Sequence, residues 1–134
     1  MELRTEEIQR QDLDGEAVRV FLKALEIAGG PRALVQRRHL TWVPSLLEAA
    51  YAIVLKEQYG KTEEEVASTL GLTRNTVRLI YRADPETVRR RLQETVEETE
   101  EAKAHVAGGL AKLAYTALKN GEKIELLEKL CQTS

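Results

Sequence analysis

Residues 62–83 constrain the fold more than any other part of the chain: Thr62-Glu-Glu-Glu-Val-Ala-Ser-Thr-Leu-Gly-Leu-Thr-Arg-Asn-Thr-Val-Arg-Leu-Ile-Tyr-Arg-Ala. Thr62 with Glu65 three residues on is a capping box, each side chain satisfying the other's backbone amide, so a helix opens here. Gly71 supplies the left-handed position that ends it, and Thr73 caps a second helix. Asp84-Pro85 stops that helix and caps another. Val66, Leu70, Leu72, Val77 and Ile80 fall where two steeply crossed helices share a small core, and Ala67 is small where they approach closest. Neither helix can bury its apolar face alone. The preceding segment supplies a third side: Pro44 suits a helix start and Gly60 its end. Between them Leu46, Leu47, Ala50, Tyr51, Ile53 and Val54 make an apolar arc wide enough to pack on two sides. The expected centre is a trihelical helix-turn-helix over residues 42–84.

The flanks read as helical too. No stretch alternates with period two for long, and the 3 prolines and 8 glycines fall at the edges of periodic segments. Residues 1–14 are acidic with few apolar positions and are expected to form a loose N-terminal arm. Residues 15–41 form an N-terminal helical segment: Val18, Phe21, Leu22, Leu25 and Ala28 make one stripe, which Gly29-Gly30-Pro31 ends. A short run from Pro31 to Leu40 follows, carrying Arg32, Arg37, Arg38 and His39. Residues 85–134 are expected to be a long C-terminal helical extension. Val88, Leu92, Val96, Ala102 and Val106 give it a weak stripe, Gly108-Gly109 interrupts the helix as a hinge or a close helix crossing, and residues 107–118 carry a denser stripe rich in alanine. Asn120-Gly121 precedes a last short helix marked by Ile124, Leu127 and Leu130. The dense stripe must be buried against the N-terminal helix or against a second subunit. The second is preferred, which makes residues 85–134 an oligomerisation segment and the protein a homodimer. The fold class is all-α.

Composition excludes several classes. A chain of 134 residues holds one domain, or one plus an appendage. Aromatics are only 4%, so the core must come from Leu, Val, Ile and Ala. A net charge of −2 rules out a uniformly basic coat on nucleic acid, though not a local basic patch. Cys131 is the single cysteine, so neither an intramolecular disulfide nor a multi-cysteine zinc site can form. The N-terminus lacks the apolar run of a signal peptide, and the longest apolar run, Ala49 to Leu55, is far too short to span a bilayer. A cytoplasmic protein without membrane association is expected. His39 and His105 stand alone, Cys131 has no evident catalytic partner, and no glycine-rich phosphate loop follows a strand. No metal site, cofactor or catalytic residue is expected, and the chain does not read as an enzyme.

What remains is the outer face of the second helix. With Val77 and Ile80 inward, Arg74, Arg78 and Arg82 stand at i, i+4 and i+8 as one basic ridge, with Asn75 beside it. Recognition helices read base edges from their N-terminal half, Arg pairing with guanine and Asn with adenine. Arg74, Asn75 and Arg78 are therefore candidate readers of double-stranded DNA, and Arg82 a phosphate contact. Thr62 and Thr73, with the amides at their helix starts, are further phosphate candidates. Residues 73–92 carry six Arg against Asp84 and Glu86, while residues 93–101 carry five Glu and no base. Arg89, Arg90 and Arg91 either grip the DNA backbone or pair with Glu94, Glu97 and Glu98. A helix-turn-helix also serves as a plain structural unit or a protein-docking surface.

The stretch from Trp42-Val-Pro-Ser-Leu-Leu-Glu-Ala-Ala-Tyr through Val66-Ala, Leu70-Gly-Leu-Thr, Thr76-Val-Arg and Ala83-Asp resembles the archaeal helix-turn-helix regulatory domain encoded beside KaiC-like ATPases. The likeness covers residues 42–88, about a third of the chain. Its helix-turn-helix half is common to many regulators and to the promoter-reading domain of sigma factors. Only Trp42 to Tyr51 is distinctive. The resemblance implies regulation or signal transduction with an ATPase partner and carries over no catalytic residue. Two expectations follow: a dimeric DNA-binding transcriptional regulator, or a signalling adaptor that docks a protein such as a KaiC-like ATPase through the same three helices.

Overall fold

The computed structural model describes residues 5–36, 42–92 and 99–132, with side chains from Asp12 onward. It is all-helical over these residues: α1 (Thr5–Ile27), α2 (Pro31–Gln36), α3 (Val43–Tyr59), α4 (Glu63–Leu70), α5 (Arg74–Arg82), α6 (Pro85–Arg90), α7 (Glu100–Lys119) and α8 (Glu125–Gln132). Arg37, Arg38 and His39, and Glu94, Val96, Glu97 and Glu98, lie outside the described residues.

Local chemistry sets most of the boundaries. Thr62 and Glu65 make the reciprocal capping box of α4, and Gly71 ends it at φ 71°. Thr73 accepts the Thr76 amide at the start of α5, and Asp84 accepts the Glu86 amide at the start of α6. Gly60, at φ 62°, closes α3. α4 and α5 both pack on α3 and on each other across the Gly71-Leu72-Thr73 turn. Val66, Ala67, Val77 and Ile80 are buried, and Leu70 and Leu72 half-buried.

The centre of the molecule is elsewhere. α7 packs against α1, α3, α5 and α6, and one hydrophobic core runs through all of them. Its buried residues are almost all small: Ala104, Ala107, Gly108, Gly109, Ala111, Ala114 and Ala117, with Leu110 the one large side chain. A helix so lightly furnished lets four neighbours approach its backbone. The C-terminal segment is therefore no appendage to a trihelical unit. The apolar stripe that motivated a dimer is covered within the chain, because α1, α3, α5 and α6 already occupy it.

Three further expectations are corrected. Residues 5–14 are not a loose arm, since α1 begins at Thr5, and Asp14 accepts a hydrogen bond from the Tyr51 hydroxyl of α3 at 2.8 Å. The buried stripe of α1 is Ala17, Val20, Ala24 and Leu25, whereas Val18 stays 43% exposed. The smaller alanines take the inner face because α7 and α3 lie close. Gly108-Gly109 does not interrupt α7, which runs through both. They mark a close crossing, where a Cβ on Gly108 would lie 2.7 Å from the Ile80 carbonyl oxygen. In the last helix Ile124 is buried just before α8, while Leu127 and Leu130 remain exposed.

Candidate nucleic-acid interface

α5 owes its orientation to two side chains. Val77 and Ile80 are fully buried, the first 0% and the second 1% exposed, so the opposite side of the helix faces solvent. Arg74, Asn75 and Arg82 are exposed on it, and Arg78 is half-buried. The ridge expected from the sequence is thus brought together on one face. Three like charges one turn apart repel, and no acid in the first turn of α5 offsets them.

Arg78 carries a feature the sequence reading missed. Its Nε lies 3.8 Å from Glu63 Oε2 of α4, with the two side chains 40% and 34% exposed. So solvated a pair contributes at most about 1 kcal/mol, so it steers the guanidinium without locking it. No motif announces it, because the two residues meet only through the turn between α4 and α5.

The two threonines divide. Thr73 Oγ1 accepts the Thr76 amide at 3.1 Å and donates to Thr76 Oγ1 at 2.9 Å. With no carboxylate in its first turn, the positive end of α5 keeps its attraction for phosphate. Thr62 does not suit that role. Its own amide donates to Glu65 Oε1 at 3.0 Å and its hydroxyl accepts the Glu65 amide. Glu63, Glu64 and Glu65 then fill the first turn of α4. Backbone amides and helix dipole are already answered by carboxylates, which repel a phosphate.

Beyond α5, Arg89 and Arg90 are exposed on α6. Arg89 Nη1 stands 3.8 Å from Glu86 Oε1 within the same helix, with both side chains about two-thirds exposed. The start of α6 is firm: the Thr87 hydroxyl donates to Asp84 Oδ2 at 2.7 Å. That hydrogen bond, with the Glu86 amide and the nearby Arg90 charge, holds the Asp84 carboxyl below the usual carboxylate range. On the flank of α5, the Tyr81 hydroxyl donates to the Lys61 carbonyl at 3.3 Å, and Lys56 Nζ sits 4.8 Å from the ring centroid. Burial and the carboxylates of Glu63, Glu57 and Glu65 push the Tyr81 hydroxyl up to about 12.

Elsewhere, His105 is half-buried and Cys131 exposed. No cluster of three metal-ligating side chains occurs among the described residues, and no described helix is long and apolar enough to cross a membrane. No protein-family profile, curated protein or solved structure matches the chain.

Proposed function

We propose that the protein is a cytoplasmic DNA-binding transcriptional regulator whose α3–α4–α5 unit acts as a helix-turn-helix. α5 enters the major groove, Arg74, Asn75 and Arg78 meet base edges, and Arg82, Arg89 and Arg90 meet phosphates. The observation that carries this reading is the rigid presentation of α5. One side is pinned by Val77 and Ile80, and the other offers a guanidinium row and an amide to solvent. Thr73 and the α5 start add an anion-favouring end. Thr62 has no part in it. No catalytic step is proposed.

Binding as a dimer fits a short recognition helix, which reads few base pairs alone. With the inner face of α7 covered, the second copy would have to meet a different surface.

Titration of a fluorescent mixed-sequence duplex, followed by anisotropy at several salt concentrations, tests the proposal. The expected result is affinity that falls with salt, with a log–log slope of about −3 for the three phosphate contacts of Arg82, Arg89 and Arg90. Arg82→Ala should reduce that slope by about one. Absence of binding at about 50 mM salt overturns the reading.

One observation favours a second reading. Glu63, Glu64 and Glu65 stand beside the ridge and Glu63 already pairs with Arg78. A surface of mixed sign suits a protein partner better than a polyanion, as an adaptor docking a KaiC-like ATPase would require. Under that reading Glu63→Gln leaves DNA affinity negligible. Under the first it raises affinity, because a charge that repels phosphate is gone.

A further inference from the structure

The end of α5 and the start of α6 meet at a point that α7 holds. Gly108 faces α5, where a Cβ would come within 2.9 Å of Ala83 Cβ as well as crowding Ile80. Gly109 faces α6, where a Cβ would come within 2.8 Å of Val88 Cβ. One turn further along α7, the half-buried Lys112 donates from Nζ to the Tyr81 carbonyl and, at 2.8 Å, to the Ala83 carbonyl. The Tyr81 carbonyl needs such a donor, because the residue four positions on is Pro85, which has no N–H. An ammonium at this end also complements the negative pole of α5. Burial pushes the Lys112 ammonium down from its ordinary range, as does Lys56, while Glu57 and Asp84 oppose the shift. α5 and α6 each pack on α7, so their mutual placement is relayed through it.

We infer that Lys112 is a positioning residue for the interface proposed above: it locks the α5–α6 elbow and so fixes Arg89 and Arg90 relative to Arg74, Asn75, Arg78 and Arg82. The two arginine groups then engage one duplex together. This inference rests on the DNA-binding reading, and it makes α7 a determinant of the geometry α5 presents.

A double-mutant cycle on the full chain tests it, with Lys112→Met on one side and the pair Arg89→Ala, Arg90→Ala on the other. Binding to a mixed-sequence duplex is read by anisotropy, and elbow opening by amide hydrogen exchange across residues 82–88. In the natural background the arginine pair should cost about tenfold in affinity, and in the Lys112→Met background less than about twofold. Exchange at the elbow should rise about tenfold in Lys112→Met while α4 is unchanged. Lys112→Arg, which keeps charge and donors, should restore affinity and protection. If Lys112→Met does not fold, Lys112→Gln carries the same expectations. Additive losses across the cycle, as a general stability effect would produce, overturn the positioning role. Unchanged exchange at residues 82–88 overturns it whatever the DNA result. If the natural protein binds no duplex at low salt, the DNA reading fails and the positioning role with it. Faster exchange in Lys112→Met would then show a purely structural elbow.

Discussion

A single carboxylate shows how much one residue does in this fold. Glu26, near the end of α1, accepts the amides of Glu125 and Leu126 at 2.7 and 3.3 Å, so it caps α8 from a hundred residues away. Its other oxygen takes the Lys23 ammonium at 2.6 Å. Lys23 is buried, only 5% exposed, and also donates to the Lys123 carbonyl at 3.0 Å. Burial alone would raise the Glu26 carboxyl, but Lys23 and the two α8 amides more than reverse this and hold it below the ordinary range. Since the folded value lies below the unfolded one, the stability Glu26 contributes is present above the unfolded value. It disappears as pH falls through the folded value. The α8 amides of Glu125 and Leu126 should therefore lose exchange protection in acid before α7 does. In Glu26→Gln, which loses the charge-assisted bonds, that protection should already be reduced at neutral pH, by about 1–3 kcal/mol. Equal protection in the two proteins would show that α8 is held by other contacts. At the same scale, Thr73→Ala should destabilise the protein by about 1 kcal/mol in urea unfolding, and Thr73→Ser by much less.

Among the elements, glycines separate helix propensity from packing. Gly15 and Gly108 both lie inside helices, where glycine is disfavoured by about 1 kcal/mol relative to alanine. Nothing lies within 4 Å of a Cβ on Gly15, so Gly15→Ala should stabilise the fold by about 0.5–1 kcal/mol. On Gly108 the same atom meets the Ile80 carbonyl oxygen at 2.7 Å. Backbone on both sides cannot yield, so Gly108→Ala should destabilise by about 1–3 kcal/mol despite its better propensity. Thermal melts of the two variants should shift in opposite directions. The sequence marked Gly108-Gly109 as a hinge or a close crossing, and periodicity alone could not choose. The choice depends on what lies opposite, which is α5 and α6 arriving from a loop more than twenty residues earlier.

At the scale of the molecule, α7 decides what can fold alone. The three helices expected at residues 42–84 leave Ile80 without the Gly108 backbone it packs against, and α3 and α5 without α7, on which both pack. A fragment spanning residues 42–92 should accordingly show a broad, weakly cooperative melt. The full chain should unfold in one transition, since a single core joins α1, α3, α5, α6 and α7. A sharp transition in the fragment would show that α4 and α5 need only α3. Leu110→Ala, at the one large buried position of α7, should cost about 2–5 kcal/mol in urea unfolding.

Local events follow from neighbouring residues alone. Thr62–Glu65, Gly71, Thr73 and Asp84-Pro85 set the ends of α4, α5 and α6, since caps and turns are contacts between residues two to four apart. The outward face of α5 was equally legible, because 3.6-residue periodicity places Arg74, Arg78 and Arg82 opposite Val77 and Ile80. What each apolar stripe meets emerges only when the helices pack. It turned the C-terminal extension into the central helix and the loose arm into the first helix. It also set Glu63 against Arg78, Glu26 at the start of α8 and Lys112 on the α5–α6 elbow. The physical reason is common to all of these. An amphipathic pattern states that a face must be buried, and a charged residue that it needs a partner, but neither specifies which distant segment provides it.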